Sequence, residues 1–303
     1  MTDDRDILGF QPASTALLLN LSGGKDSTRM LGLVRQKFPT LKTYAVMADT
    51  GFEHVKPVQA VEWCREIAAR FDLPLTVVRN PNKTYLEMVR CRGMFPSAQF
   101  RQCTSDLKRG PIQKFLRTIP EKVVINCMGM RADESPQRAR QLPWKRNAEM
   151  SKNGRTVYNW LPIFAETTEQ VLSWHWRNEV PLHPVYVPEY HQDGTKGGYL
   201  RRFSCRVCIF ATDHDVRMIH QHDRAAFDQV SALEQDTGFT MKSGRSLVQI
   251  VSAPPPPREV NLPSLSCSLL AVQQGDRATP RSPPSALTEN TRTHSFRQHG
   301  AGD

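Results

Sequence analysis

The chain of 303 residues lacks any run of about 18 apolar residues, so no transmembrane helix is expected. Its N-terminus, Met-Thr-Asp-Asp-Arg-Asp, is acidic and has neither the basic nor the apolar part of a signal peptide. We therefore expect a cytoplasmic protein that has no membrane partner. The composition, with 39% hydrophobic and 23% charged residues, is typical of a globular protein, and the length predicts about two domains.

The seven cysteines also lack the pattern of a disulfide framework. Their number is odd, they are widely spread, and no secretion signal accompanies them. Any cysteines that cluster are therefore better explained as metal ligands or as catalytic thiols.

Two common nucleotide-binding motifs, G-x-x-x-x-G-K-[ST] and G-x-G-x-x-G, are absent. Instead, an apolar run over 16–21 leads directly into Ser-Gly-Gly-Lys-Asp-Ser at 22–27, and helix-forming residues follow over 28–37. This order predicts a strand, a tight glycine turn and a helix N-terminus, where free N–H groups and the helix dipole favour an anion. Lys25 adds a cation. The sequence therefore predicts a phosphate cradle, and the alternative is a helix cap without a ligand.

Four apolar segments alternate with helical segments, which is the pattern of a parallel sheet built from β-α-β units. The strands are predicted over 16–21, 43–47, 75–78 and 122–128. We expect an α/β fold with a doubly wound parallel sheet, in which ligands bind beyond the carboxyl ends of the strands.

The predicted domains are a nucleotide-binding α/β domain over 1–145, a smaller and mostly helical substrate and metal region over 146–250, and a tail over 251–303. The tail is rich in proline and serine with little periodicity, so it is expected to be disordered.

The middle of the chain gives weaker signals. Residues 132–160 are polar and basic and are expected to form a mobile loop or lid. Helices are expected over 166–180 and 218–235, with Thr168 as the cap of the first.

The chain carries a net charge of +10, almost all of it outside the tail. A basic protein suits a polyanionic partner such as nucleic acid, or an anionic nucleotide, and the alternative is a generally basic surface. No nucleic-acid-binding module is recognisable, so the sequence leaves the partner class open.

Two further motifs lie at predicted strand ends. Asp49 and Gly51 follow the second strand, where a carboxylate suits a ribose hydroxyl or Mg²⁺ and an ordinary turn is the alternative. Gly129, Arg131 and Glu134 follow the fourth strand. Arg131 suits a phosphate or sulfate, and Glu134 would orient Arg131 or hold a metal, with a surface ion pair as the alternative.

Three cysteines form the last candidate site. Cys205 and Cys208 have the spacing that lets both sulfurs reach one metal, and Cys103 is expected at the same edge of the sheet. Three thiolates suit a 4Fe–4S cluster with one open iron, or Zn²⁺ with one further ligand. The candidates for the further ligand are Cys91, His183 and His214. The alternatives are a thioredoxin-like dithiol and unliganded cysteines.

Together these motifs resemble the phosphoadenosine phosphosulfate (PAPS) reductase-like family of the N-type ATP pyrophosphatase (adenine nucleotide alpha hydrolase) superfamily. The resemblance rests on Ser-Gly-Gly-Lys-Asp-Ser, Gly-Met-Arg-Ala-Asp-Glu-Ser, Arg-Gln-Cys-Thr-Ser-Asp-Leu-Lys and the Cys-x-x-Cys pair, and it spans about residues 16–212. It implies an ATP-dependent adenylating enzyme in sulfur transfer, which cleaves ATP between the α and β phosphates.

The resemblance also implies roles for single residues. Catalysis is assigned to Lys25, Asp26 and Arg131, with Asp26 and Asp49 as the holders of Mg²⁺. Nucleotide binding is assigned to Ser22, Gly23, Gly24, Lys25, Asp26, Ser27, Asp49, Gly51, Gly129, Arg131 and Glu134. Substrate binding is assigned to Arg101, Lys108 and Arg138, and metal binding to Cys103, Cys205 and Cys208. The basic neighbours Arg101, Lys108, Arg202 and Arg206 are expected to keep the thiols ionised.

One motif of the true reductases, a C-terminal Glu-Cys-Gly, is missing, because Cys267 lies in Leu-Ser-Cys-Ser-Leu. Reduction of PAPS or of its non-phosphorylated analogue is therefore the second candidate function, and a nucleotide-sensing module without turnover is the third. The expected partners are a nucleotide substrate, tRNA, DNA or a small molecule as acceptor, and a sulfur-donor protein. A homodimer is a further expectation.

Overall fold

The sheet contains six strands in the part of the chain that the structure describes, which covers residues 10–192, 198–203 and 205–254 of a computed structural model. The strands are β1 (Thr15–Leu21), β2 (Thr43–Asp49), β3 (Leu75–Arg79), β4 (Val123–Met128), β5 (Trp144–Arg146) and β6 (Thr156–Trp160). Their order is β3-β2-β1-β4-β6-β5, and every neighbouring pair is parallel except β5–β6. The predicted α/β fold and its four apolar strands are confirmed.

Helices connect the strands and continue beyond the sheet. They are α1 (Lys25–Lys37), α2 (Ala60–Ala69), α3 (Tyr85–Arg92), α4 (Gln102–Thr104), α5 (Gly110–Leu116), α6 (Pro136–Ala139), α7 (Thr168–Arg177), α8 (Asp213–His222), α9 (Arg224–Thr237) and α10 (Leu247–Ser252). A π-helical turn, Ser105–Arg109, joins α4 to α5. Among the described helices, none combines the length and the apolar character that a membrane crossing needs.

Two helix predictions need correction. The cap of α7 is Thr167, whose hydroxyl accepts the backbone N–H of Gln170, so the predicted cap Thr168 is instead the first residue of the helix. The single helix predicted over 218–235 is two helices, because the chain turns at Asp223, whose carboxylate caps α9.

Both faces of the sheet are covered, as a doubly wound fold requires. Leu17 and Leu19 of β1 belong to one buried cluster with residues of α1 and α2, whereas Ala16 and Leu18 belong to another with Leu116. The apolar run of β1 is therefore continuous because neither face meets solvent.

The strand order reverses between β1 and β4, since β2 lies on one side of β1 and β4 on the other. The loops that leave two such strands diverge and open a crevice at their carboxyl ends, where ligands bind in folds of this type. The glycine loop follows β1 and Gly129 follows β4, so both predicted motifs meet at this point.

Residues 132–160 contain β5 and β6 rather than a lid. β6 continues the parallel sheet beside β4 with Val157 fully buried, and Trp144 of β5 stacks on Tyr158 at 4.9 Å between ring centroids. The segment is too polar to read as a strand by its pattern, and it becomes one because the edge of β4 is available to it.

The predicted domain boundaries also fall within structured elements. The boundary at 145 cuts β5, and Met1–Pro255 form one compact unit. The boundary at 250 cuts α10, which continues to Ser252. The rest of the predicted tail, including Cys267, lies outside the described residues.

Candidate functional site

The loop between β1 and α1 has a backbone conformation that depends on glycine. Gly23 has a φ angle of +80°, in the left-handed region that other residues rarely adopt. Its carbonyl oxygen accepts the indole N–H of Trp63 at 3.2 Å, and the Ser27 hydroxyl donates to the carbonyl of Gly24 at 2.9 Å. These contacts hold the loop in place from within the protein.

Gly129 brings the loop after β4 into contact with the N-terminus of α1. A Cβ atom at this position would lie 2.7 Å from the carbonyl oxygen of Asp26, closer than van der Waals contact allows. Any larger residue would push the two loops apart, so Gly129 acts through its small size.

Asp26 is held by two cations. The Lys25 ammonium lies 2.8 Å from one carboxylate oxygen, and Nε of Arg131 lies 2.7 Å from the other. Burial by itself would raise the pKa of Asp26, but the charges of Lys25 and Arg131 outweigh it and lower the pKa. The carboxylate is therefore ionised at neutral pH, as an oxygen ligand of Mg²⁺ must be.

Arg131 is only 2% exposed and contacts protein groups. Besides its bond to Asp26, it donates to Asp133 at 2.7 Å, to the carbonyl of Glu166 at 3.2 Å and to the Thr168 hydroxyl at 3.0 Å. These bonds use most of the five N–H groups of a guanidinium. In this structure Arg131 positions Asp26, whereas the sequence predicted a direct contact with a bound anion.

Glu134 organises the same loop. Its carboxylate accepts the backbone N–H of Arg131 at 2.9 Å and forms an ion pair with Arg138. Its contact with Arg131 therefore runs through the main chain.

Two residues that the sequence did not single out hold the backbone of Lys25. The Tyr186 hydroxyl accepts the backbone N–H of Lys25 at 3.0 Å, and Nε2 of His175 lies 2.9 Å from the Lys25 carbonyl oxygen. They are 161 and 150 residues away in sequence, so no local pattern could have revealed them.

A cavity of about 790 Å³ opens in front of the loop, within the range of roughly 300–1,000 Å³ that is usual for small-molecule sites. Lys25, Asp26 and Gly129 lie on its wall. Cations outnumber carboxylates in the described lining, and those beyond Lys25 are Lys108, Arg109, Arg138, Lys145, Arg146 and Arg202. The cavity is therefore suited to a polyanion such as a nucleoside triphosphate.

A row of asparagines from three adjacent strands also lines the cavity. The Asn20 amide donates to Asn126 at 2.7 Å, and the Asn126 amide donates to Asn159 at 3.0 Å. A sequence signal existed for this row, since Asn20 and Asn126 are polar residues within otherwise apolar strands.

Asp49 and Gly51 lie apart from this arrangement. Asp49 accepts the backbone N–H of Gly51 at 2.8 Å and a hydrogen bond from Arg79 at 2.6 Å. Within the described part of the chain, the cavity lining does not include Asp49, Gly51 or Arg131. A magnesium-binding role for Asp49 stays a prediction.

The three predicted metal ligands lie near one buried hydroxyl group. Burial raises the pKa of Tyr85 well above its usual value, and the nearby sulfurs of Cys205, Cys103 and Cys208 raise it further. The Tyr85 hydroxyl has no hydrogen-bond partner among the described residues. The fold therefore brings Cys103 near the Cys-x-x-Cys pair, about one hundred residues away in sequence. This agrees with the expectation that all three cysteines lie at the same edge of the sheet.

The neighbours of Cys205 and Cys103 do not lower the pKa of these two thiols in this structure. Burial raises the pKa of Cys205 to about 12, although Lys108, which hydrogen-bonds its sulfur, acts in the opposite direction. Burial likewise raises the pKa of Cys103. Arg206, an expected neighbour, pairs instead with Asp223 at 2.5 Å. At both thiols, desolvation has a larger effect on the pKa than Lys108 has.

The candidates for a further metal ligand are placed as follows. Cys91 and His214 are exposed, and His183 is buried with Nε2 bonded to the carbonyl of Val58. Glu53, which sequence reasoning missed, interacts electrostatically with Cys205. Among the described residues, no group of three or more His, Cys, Asp or Glu side chains is arranged to hold a metal ion, so the metal site stays a prediction.

A family model described as the phosphoadenosine phosphosulfate reductase domain matches residues 16–195. The chain belongs to this family. The resemblance inferred from the motifs is thereby confirmed, and the chain is assigned to a family of nucleotide-binding enzymes of sulfur chemistry.

Two relatives are uncharacterized proteins. The chain is 27% identical over 277 residues to a 37.8 kDa protein of Escherichia phage 186, covering 77% of this chain and 78% of that protein. It is 27% identical over 201 residues to a protein of Methanocaldococcus jannaschii, covering 63% of this chain and 38% of that protein.

Two solved structures are distantly similar. A PAPS reductase from Candida auris, in a phosphate complex, has 15% identity and a TM-score of 0.39, with 58% of this chain and 77% of that chain covered. The U34-tRNA thiolase NcsA from Methanococcus maripaludis, with its [4Fe-4S] cluster, has 14% identity and a TM-score of 0.45, with 82% and 85% covered.

Proposed function

We propose that the protein is an adenylating enzyme, which cleaves ATP between the α and β phosphates, releases pyrophosphate and prepares an acceptor for sulfur transfer. The observation that carries this proposal is the buried Lys25–Asp26 pair at the N-terminus of α1, which faces a basic cavity at the point where the strand order reverses. Backbone N–H groups and the helix dipole add to the attraction for phosphates there.

Each residue of the pair has a separate task once ATP is bound. The Lys25 ammonium group exchanges its ion pair with Asp26 for one with the β and γ phosphates. Asp26, which Arg131 keeps in place, would hold Mg²⁺, and the metal supplies neutralisation of phosphate charge. The donor set fits this ion, because Asp26 is ionised and Mg²⁺ prefers oxygen ligands.

The reaction is a displacement at the α phosphorus. A bond forms between an acceptor oxygen and the α phosphorus, the bond from that phosphorus to the bridging oxygen breaks, and pyrophosphate leaves with the electron pair. A sulfur nucleophile then displaces AMP from the adenylated acceptor. The chain contributes positioning and positive charge, the main means of catalysis in phosphoryl and adenylyl transfer.

Cys103, Cys205 and Cys208 would hold a 4Fe–4S cluster or Zn²⁺, which supplies a soft carrier for sulfur. The donor chemistry fits, because three thiols lie around the unpartnered hydroxyl of Tyr85.

The proposal is tested by pyrophosphate release from Mg²⁺-ATP, measured on anaerobically purified full-length protein with and without RNA or DNA oligonucleotides. Lys25→Ala is expected to abolish release. The matched control is Lys37→Ala, at the other end of α1 and about 18 Å away at 1.5 Å per residue, which is expected to retain it. Both variants are checked for folding by circular dichroism.

Two results would contradict the proposal. Wild-type protein that releases no more pyrophosphate than Lys25→Ala would exclude ATP cleavage at this site. Sulfite production from PAPS without pyrophosphate release would favour the reductase instead.

A further inference from the structure

We propose that a pocket beside the nucleotide cavity binds single-stranded nucleic acid, with an unpaired base stacked on Phe100 and Arg101 and the neighbouring phosphates held by Arg92 and Arg109. This inference rests on the proposed function, because it names the chemical class of the acceptor. We call this pocket the arginine pocket, after Arg92, Arg101 and Arg109 in its lining.

The arginine pocket has a volume of about 490 Å³, and the charged side chains in its described lining are all cationic. Arg92, Arg101 and Arg109 line it, and no carboxylate belongs to its described lining. Asp106, which accepts hydrogen bonds from the lining residues Gln102 and Ser105, is already paired with Lys83 at 2.7 Å. The pocket therefore attracts phosphate groups without internal competition.

An aromatic surface accompanies these arginines. Phe100 is 66% exposed and Phe210 is 42% exposed, although large apolar side chains are usually covered. The Arg101 guanidinium lies over the Phe210 ring at 4.9 Å, and its Nε and Nη2 donate to Ala98 and Gln137 at 3.0 Å each. The guanidinium plane is thus fixed by its neighbours while Phe100 stays open to a ligand.

Exposed aromatic rings beside arginines are the combination by which proteins hold single strands. Bases stack on aromatic rings and on guanidinium planes, and cations follow the phosphate backbone. An apolar protein segment would give the three guanidinium charges no anionic partner, and a duplex would keep its bases away from Phe100. The chemistry of the pocket therefore favours a strand with an unpaired base.

The arginine pocket also adjoins the ATP cavity. Thr104 and Arg109 line both. Further cations, Lys145, Arg146 and Arg202, continue along the cavity wall. A strand anchored in the arginine pocket would consequently place a neighbouring nucleotide in front of Lys25 and Asp26, where adenylation is proposed.

The test is fluorescence anisotropy with labelled 12-nucleotide single strands of RNA and DNA, on the full chain and without ATP. Phe100→Ala is expected to weaken binding roughly tenfold, as loss of one stacked base does. Phe100→Trp is expected to retain binding, which separates stacking from a folding defect. The control is Phe239→Ala, an aromatic residue that is 52% exposed and lies outside both pockets.

Salt dependence gives a second readout. The logarithm of the association constant falls as the logarithm of the salt concentration rises. Arg109→Gln is expected to make this slope less negative by about 0.7, the value for one lost phosphate contact on a single strand. The control is Arg65→Gln on α2, an exposed arginine paired with Glu62, which is expected to leave the slope unchanged.

Three outcomes would overturn the inference. The first two are equal binding of oligonucleotides by Phe100→Ala and Phe239→Ala, and absence of oligonucleotide binding by the wild type. The third is that Phe100→Ala weakens the binding of a bisphosphorylated mononucleotide but of no oligonucleotide. The proposed function is judged separately. A protein that releases pyrophosphate but does not bind strands contradicts the inference alone, whereas one that binds strands but releases no pyrophosphate contradicts the ATP reaction alone.

Discussion

Replacing Arg131 by methionine would separate the two roles that this residue can have at the site. If it positions Asp26, as the structure indicates, the change leaves a carboxylate that is mostly buried with Lys25 as its remaining cation. It also removes the donors to Asp133, Thr168 and the carbonyl of Glu166. If Arg131 instead acts mainly on a bound phosphate, the change should have little effect on the free energy of unfolding of the protein without ATP.

The expected magnitude follows from burial. Breaking a buried ion pair by removing one partner costs roughly 3–5 kcal/mol, because the other charge stays behind without its partner. Arg131 is 2% exposed, so little solvent screening reduces this figure. At about 2–4 °C per kcal/mol for a chain of this size, the melting temperature should fall by roughly 6–20 °C.

The assay is urea denaturation at pH 7, repeated in the Asp26→Asn background. In that background Arg131→Met should cost clearly less, since no charge is left unpaired. The contribution of ionised Asp26 to the free energy of unfolding also depends on pH. Because the pKa of Asp26 is lowered in the folded state, its stabilisation is present above the unfolded value near 3.8 and is lost as the pH falls below it.

A change of less than about 1 kcal/mol in the free energy of unfolding, together with loss of pyrophosphate release, would refute the positioning role. Such a result would restore the role predicted from the sequence, in which Arg131 contacts the bound anion directly.

Three further outcomes are expected. Burial lowers the pKa of His183 to about 4, so its contribution to stability should be full above pH 6.5 and fall by about 3 kcal/mol as the pH drops towards 4; urea denaturation of His183→Gln should show a smaller loss, which His54, whose pKa burial also lowers to about 4, still causes. Gly129→Ala should destabilise the fold by roughly 1–3 kcal/mol and weaken ATP binding in calorimetry, because its Cβ would meet the carbonyl of Asp26; unchanged affinity would argue against the contact. Anaerobically purified Cys103→Ser should hold less iron or zinc than the wild type by elemental analysis, whereas Cys64→Ser, on α2, should match it.

The glycine loop between β1 and α1 could be predicted from the sequence because its determinants are consecutive. An apolar strand, two glycines and a helix start follow one another within about twenty residues, and each obeys a local rule. The same holds for the other buried parallel strands, whose continuous apolar runs arise because both faces of the sheet are covered. The family resemblance rested on such short motifs, and the family match confirms it.

Polar and irregular segments carried no such signal. β6 has a mixed pattern, and it is a strand because β4 offers it a free edge. The cap of α7 differs by a single residue between expectation and structure. Thr167 and Gln170 form a capping box, whereas three residues after Thr168 lies Val171, so the local spacing favours Thr167.

The sequence by itself determined the fold class, the glycine loop between β1 and α1 and the identity of its charged residues. The tertiary structure decided what those residues do. It paired Arg131 with Asp26, which is 105 residues away in sequence, and it bonded Tyr186 and His175 to the backbone of Lys25. It also brought the half-buried Cys103 and Cys205 close to Tyr85, and at Cys205 desolvation outweighs the effect of Lys108 on the pKa. Local propensity acts along neighbouring residues, whereas partners, burial and pKa values depend on packing between segments that are far apart in the chain.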